Sequence, residues 1–382
     1  MAVYLIWFII IVAIYLFSLK RISIGKNVYM LGIYMLGIAL FVGLGDMLGG
    51  YDRYIYAELF DNMADVINSG GSPFLSDSFM FYRSEFGYGA YCALLSQITA
   101  NRYIFILITT LIIYTLIFFS IKDYAENYPF AIMIFMGFFF FFTFTYLRQV
   151  MGVIIAWFSV RYIIRREFIP FLIVIFVACS FHNSAIIFLP IYFIPIKKFS
   201  VRTVAVVMGI CLLIGMSTVP SSLFEIYGEA NENRINVVEY SENIDFRYEY
   251  LLEALVCLGM ILYFYSRIPK KTEQIVMLNI ALAFCALLLI FIHSENGGRL
   301  AWYYMIGLIA TFTTLDTRKR TVSYYNLSII LLSFILYFRI IYSWGILLTP
   351  YKTFLTDGIR DGDYIEEKYE YDHGYDVDKF YR

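Results

Sequence analysis

Residues 2–19 form an unbroken apolar run, and eleven more runs follow, near 28–46, 103–121, 129–147, 149–164, 168–182, 184–196, 203–219, 249–266, 274–293, 300–315 and 322–345. About 20 apolar residues make one helical span of a bilayer. The expected fold class is therefore all-α: a polytopic integral membrane protein with about twelve transmembrane helices. Three of the runs are short and could be broken or tilted. Composition agrees, since 61% of the 382 residues are hydrophobic and only 15% are charged. Soluble domains are roughly 45–50% apolar and about 25% charged. The first run is followed by Lys20 and Arg21. A signal peptide has its positive charge first and a cleavage site last, so this run reads as a retained helix.

Basic residues set the orientation, because cytoplasmic loops carry the Lys and Arg excess. Sixteen of the 29 basic residues fall in six brief turns, at 20–26, 122, 161–166, 197–202, 267–271 and 318–320. Those turns are expected inside. The longer segments at 47–102 and 220–248, and both termini, are expected outside. Two stretches of the first long segment read as helices of an outer cap. In 53–67 an apolar stripe (Ile55, Leu59, Met63, Val66) lies beside an acidic one (Glu58, Asp61, Asp65). In 86–100 Tyr88, Tyr91, Leu95 and Ile98 share a face. Counting 86–100 as a span would flip every later loop and place four basic clusters outside, so it reads as an external or re-entrant helix. The chain divides into a membrane domain, 1–350, with helical outer loops, and an acidic, Tyr-rich extracytoplasmic tail, 351–382. No internal repeat stands out. The net charge of −1 gives no nucleic-acid footprint, and the five cysteines show neither a disulfide framework nor zinc-ligand spacing.

The chemistry gathers on the outer side. The inner turns hold eight Lys and eight Arg, whereas the outer set before the tail is Arg53, Arg83, Arg102, Arg148, Arg234, Arg247, Arg299 and Arg339, with no Lys. The planar guanidinium fork matches two phosphate oxygens at once, so these arginines suit a lipid-linked phosphate or diphosphate. Arg148 and Gln149 stand between two apolar runs with no acid nearby in sequence. Such an arginine either binds something or snorkels to the interface. His182, in Ser180-Phe181-His182-Asn183-Ser184, is a functional donor or base, or a satisfied helix end. His293-Ser294-Glu295-Asn296-Gly297-Gly298-Arg299 is a polar ligand-approach segment or a plain tight turn. Asp46, Asp52 and Glu85 are carboxylates at the outer edge, each a general-base candidate.

At these residues the chain resembles the EpsG family of Wzy-like polysaccharide polymerases. The resemblance is carried by Tyr51-Asp52-Arg53-Tyr54 before an outer helix, Ser84-Glu85-Phe86-Gly87-Tyr88, Leu147-Arg148-Gln149, Ser180-Phe181-His182-Asn183-Ser184-Ala185 and Pro350-Tyr351-Lys352. The family often has Glu-Pro-Gly where this chain has Glu85-Phe86-Gly87. The tail resembles a variable extension outside the family core. The resemblance implies a GT-C-like, multi-pass enzyme of the bacterial cytoplasmic membrane with its active site facing the extracytoplasmic side. It implies joining of undecaprenyl-diphosphate-linked repeat units in O-antigen, capsule or exopolysaccharide assembly. The partners are the lipid-linked donor and acceptor, the bilayer and a chain-length regulator, with no cofactor. Arg148, His182, Glu85 and Asp52 are the expected catalytic residues. Arg148, Gln149, Arg299, Glu295, Arg53, Arg83 and Arg339 are the expected substrate-binding residues. With no metal cluster visible, arginine would neutralise the diphosphate that magnesium neutralises in many soluble transferases.

Three other readings compete. A flippase or transporter would place charges near the bilayer midplane, often with inverted repeats. A membrane acyltransferase would need a paired His and acid. A glycan ligase differs only in its acceptor.

Overall fold

The computed structural model describes residues 1–46, 51–220, 222, 246–294, 297–316, 322–356 and 378–381. Among these the chain is helical and has no strand; one isolated antiparallel bridge joins Gly45 and Thr353. The longer elements are α1 Ala2–Lys20, α2 Val28–Gly43, α3 Tyr51–Asn68, α4 Phe86–Ser96, α5 Arg102–Tyr124, α6 Tyr128–Phe138, α7 Leu147–Arg165, α8 Phe168–Phe181, α9 Val201–Gly215, α10 Tyr248–Tyr263, α11 Thr272–Ile290, α12 Met305–Leu315 and α13 Tyr324–Ser343. Starts are marked in the sequence by capping side chains. Asn27, Asn101, Asn127, Ser200 and Ser323 each accept an N–H from the first turn of α2, α5, α6, α9 and α13.

Among the described residues five helices are long and apolar enough to cross a membrane: α1, α5, α7, α11 and α13. Shorter apolar helices accompany them, including α2, α6, α8, α9 and the 3-10 stretch Asn183–Phe193. Side-chain placement on α1 fits lipid as the solvent. Its hidden face carries Tyr4, Phe8, Ile11 and Tyr15, while Ile6, Ile9 and Phe17 face out. A soluble helix would turn the isoleucines in and the phenolic groups toward water.

Two expected spans are interrupted. The run at 129–147 leaves helix after Phe138, makes a short turn over Phe142–Thr145, and restarts at Leu147. Here the Phe-rich segment packs ring on ring instead of extending the helix; Phe141 lies 4.7 Å from Tyr337, centre to centre. The run at 300–315 passes through a 3-10 turn, Trp302–Tyr304, where the Tyr303 carbonyl accepts the Trp157 indole N–H at 3.0 Å. Helix α4 has 11 residues. At 1.5 Å per residue that is about 16 Å, about half the hydrocarbon thickness, so 86–100 is not a straight span.

The chain forms two compact units. The first comprises Met1–Ile155, Phe176–Asn183 and Arg318–Arg382. In it α2 lies along α5 so closely that a Cβ on Gly43 would meet Leu107 at 2.8 Å. Helix α6 meets α13 at Gly137, where a Cβ would stand 2.6 Å from the Ser333 Cα. Small residues at such crossings let backbones approach. The second unit comprises Ala156–Ile175 and Ser184–Thr317. There α11 packs on α12 at Gly307, whose Cβ would meet Ile280 at 2.5 Å. Lys198 donates to the carbonyls of Tyr265 (2.7 Å) and Ile268 (2.6 Å), closing one end.

The segment 51–102 of the first unit is held by buried charges. Helix α3 buries Arg53, Tyr54, Tyr56, Ala57, Phe60, Asp61, Met63 and Ala64; of the expected apolar stripe only Met63 is buried, and Ile55, Leu59 and Val66 are half-buried. Arg53 is wholly buried and donates from Nη2 to the carbonyls of Val42 (2.9 Å) and Gly45 (3.5 Å). Burial pushes its guanidinium down to about 10, which still leaves it charged at neutral pH. Asp61 accepts from Nε of Arg102 at 2.9 Å and also pairs with its Nη2, tying α3 to the start of α5. The 378–381 segment returns to this region. Lys379 Nζ lies 3.4 Å from Asp46 Oδ2, with side chains 1% and 0% exposed, and the Lys379 carbonyl accepts from Asn101 Nδ2 at 2.7 Å.

Candidate active site

Four separate stretches meet in the first unit: Tyr56 on α3, residues 82–92, the start of α7, and residues 180–183 at the end of α8. The 82–92 stretch is shaped by small residues. A Cβ on Gly89 would stand 2.9 Å from the Tyr82 Cβ, and one on Gly87 would stand 2.2 Å from Ser180 Oγ and 3.0 Å from the Ser180 carbonyl oxygen. The two glycines thus let α4 fold back on its own approach and onto the end of α8. Tyr82 packs edge-on against Tyr88 at 5.1 Å, Tyr56 lies 5.8 Å from Tyr88, and Tyr91 lies 6.3 Å from Phe181. Burial holds the Tyr88 phenol and the Cys92 thiol well above their ordinary values, so both stay neutral.

Arg148 stands in the first turn of α7, where the helix dipole favours an anion. The acid absent from its sequence neighbourhood is Glu85. Glu85 Oε2 lies 2.7 Å from Arg148 Nη1, with side chains 5% and 19% exposed. The other carboxylate oxygen accepts the backbone N–H of Asn183 at 3.0 Å. The guanidinium carbon lies 5.9 Å from the Tyr56 ring centre and 5.7 Å from that of Tyr82, within cation–π reach of both. Nε and Nη1 of Arg148 are both buried without a hydrogen-bond partner, so the contact with Glu85 is an ion pair rather than an aligned hydrogen bond. A guanidinium with one edge taken by a carboxylate, Nε unused, and tyrosine rings around it is built to receive a second anion.

Of the residues expected from sequence, Arg148, Glu85 and the Ser180–Asn183 segment come together. His182 is half-buried at the joint between α8 and the 3-10 stretch, and its backbone N–H donates to Ala178 at 2.9 Å. Gln149 is buried beside Arg148 in sequence, and Asp52 is half-buried on α3. Arg53 is engaged by carbonyls, as above. Arg83 and Arg339 are exposed. Arg299 is half-buried in the short helix Gly297–Ala301 of the second unit. Glu295 and Arg234 lie outside the described residues, as does most of 220–248. Sequence reading missed Tyr56 and Tyr82 as neighbours of Arg148; among 35 tyrosines nothing in spacing singles them out. Among the described residues no three His, Cys, Asp or Glu stand close enough to hold a metal ion.

A family model described as the EpsG family matches residues 28–353. No curated protein and no solved structure matches the chain.

Proposed function

The chain belongs to the EpsG family, whose members are Wzy-like polysaccharide polymerase-related membrane proteins, and from that premise we propose that it joins undecaprenyl-diphosphate-linked repeat units into polysaccharide on the outer face of the bacterial cytoplasmic membrane. The observation that carries the reading is Arg148. Its charge is fixed by Glu85 at 2.7 Å, its Nε is unused, and the Tyr56 and Tyr82 rings flank it.

In the proposed reaction an acceptor hydroxyl attacks the anomeric carbon of the donor chain. The C–O bond to the diphosphate breaks, lipid diphosphate leaves with the bonding electrons, and the acceptor proton passes to a base. Negative charge grows on the diphosphate oxygens as that bond breaks. A prepositioned guanidinium therefore stabilises the transition state more than the ground state, without a metal ion. His182 takes the proton, with Asp52 as the reserve; Gln149 contributes an amide to the same end of α7.

The proposed topology has twelve spans, both termini outside, and 47–102 and 220–248 as outer loops. The contacts of Lys379 with Asp46 and Asn101 support it, because residues 46, 101 and 379 must then lie on one side of the membrane. The pairing of Lys26 with Glu126 at 3.3 Å supports a common side for two turns expected inside.

The test is chain extension by membranes carrying variants of Arg148, supplied with lipid-linked repeat units. Arg148→Ala should abolish extension while the protein still inserts and accumulates. Arg148→Lys should fail as well, because an ammonium cannot hold Glu85 on one edge and present a second flat edge to a diphosphate. A fully active Arg148→Lys protein would reduce Arg148 to a snorkelling residue and remove the centre of the proposed site.

A further inference from the structure

Glu85 links two places that are far apart in sequence. Its Oε2 holds Arg148 Nη1 at 2.7 Å, and its Oε1 accepts the N–H of Asn183, 98 residues away, at 3.0 Å. Two residues later Gly87 sits against Ser180 with no room for a Cβ. Nearby, Phe86 lies against Phe176 (6.2 Å) and Tyr91 against Phe181 (6.3 Å). The first turn of α4 is thus keyed to the last turn of α8, and Glu85 stands at the joint with both oxygens committed.

We propose that Glu85 is a positioning residue, a clamp that sets Arg148 and the His182–Asn183 joint in one fixed geometry, and that it is not the base of the reaction. The catalytic consequence rests on the polymerase reading above. A general base needs a lone pair aimed at the acceptor hydroxyl within hydrogen-bond reach. Glu85 directs its two oxygens elsewhere, and its side chain is almost wholly buried. What it does instead is anchor one end of the guanidinium by charge, at 2.7 Å from Nη1. With the Nη1 edge held, the Nε side of Arg148 is left for the diphosphate, and His182, next to the clamped Asn183, is held at a set distance from it. Second contacts of this kind are what keep a site within the tolerance that catalysis needs.

Glu85→Gln is the informative variant, because its amide oxygen still accepts the Asn183 N–H while the charge on Arg148 is lost. Kinetics with purified protein and lipid-linked repeat units should show kcat lowered about tenfold, because a mis-set Arg148 loses part of its transition-state stabilisation. The limb of the pH–kcat profile that reports the base should stay in place. Independently of any substrate, hydrogen exchange of the peptide spanning 178–186 should be unchanged in Glu85→Gln. In Glu85→Ala, exchange at the Asn183 amide should quicken about tenfold as its acceptor is removed. A Glu85→Gln protein whose kcat falls a hundredfold at unchanged KM, with the pH limb gone, would make Glu85 the base and overturn the proposal. Equal exchange at Asn183 in the parent and Glu85→Ala would overturn the clamp itself. Failure of the parent to extend any lipid-linked repeat would sink the polymerase reading, and the exchange experiment would still judge the clamp.

Discussion

Asp61→Asn is a direct test of how the outer segment is held. Asp61 and Arg102 are 8% and 2% exposed, and the carboxylate accepts Nε at 2.9 Å and pairs with Nη2. One residue away, Phe60 stacks on Phe105 at 4.3 Å, so the pair lies inside a tight α3–α5 contact. The amide removes the negative charge that faces Nε and Nη2 of the buried guanidinium. Breaking a buried pair from one side costs about 3–5 kcal/mol, a large part of the ~5–15 kcal/mol by which folded domains exceed unfolded ones. Replacing both partners by apolar residues of similar volume, as in Asp61→Leu with Arg102→Met, removes both charges. It should return most of that loss. The assay is the fraction of detergent-solubilised protein that stays monodisperse after heating. Asp61→Asn should lower the midpoint by roughly ten degrees, at about 2–4 °C per kcal/mol, and the double variant should restore most of it. A single variant indistinguishable from the parent would mean that the guanidinium reaches water another way, and the argument from burial would fall.

Lys379→Met removes the buried cation 3.4 Å from Asp46 and should destabilise by about 3–5 kcal/mol, whereas Asp46→Asn combined with Lys379→Met should be milder than Lys379→Met alone; protease resistance of 47–102 reads the difference. Polymerisation by membranes treated with EDTA should proceed undiminished, and loss of product restored by a divalent ion would refute the role given to arginine. Ile235→Cys, in a chain lacking its native cysteines, should react with an impermeant thiol reagent from outside in intact cells. Labelling only after the inner face is opened would invert the proposed topology.

How much of this was legible in the sequence differs from residue to residue. Apolar runs mark the helices because hydrocarbon demands continuity of apolar side chains, and the breaks near 147 and 183 show as polar residues between two runs. The inner face of α3 was not legible. Its apolar stripe at Ile55 and Leu59 stays half-exposed, while Arg53 and Asp61 turn inward. Beside a membrane, hydrophobicity does not say which side of a helix faces protein, since lipid accepts apolar groups and only the interior offers partners to a charge. Pairings were equally hidden. Glu85 finds Arg148 and Asp61 finds Arg102 across intervening helices, and spacing holds no trace of either match. The arginines read together as phosphate ligands divide in the structure: Arg53 donates from Nη2 to backbone carbonyls, Arg102 pairs with the Asp61 carboxylate through Nε and Nη2, and Arg148 stands beside Glu85 and two tyrosine rings. The tail, which reads as an appendage, contributes Lys379 to the root of the outer segment.

That last contact imposes an order on biogenesis. Asp46 leaves the ribosome and reaches the bilayer edge early, while the lysine that neutralises it is separated even from Asn101 by 278 residues still to be translated. Until then the contacts that Lys379 makes with Asp46 and Asn101 cannot form, so this corner of the first unit is completed only late in synthesis. A polypeptide stopped or clipped before residue 379 never completes this step. It lacks the buried cation that stands 3.4 Å from Asp46 in the finished fold, and so presents surveillance proteases with a local defect far in sequence from the missing residue.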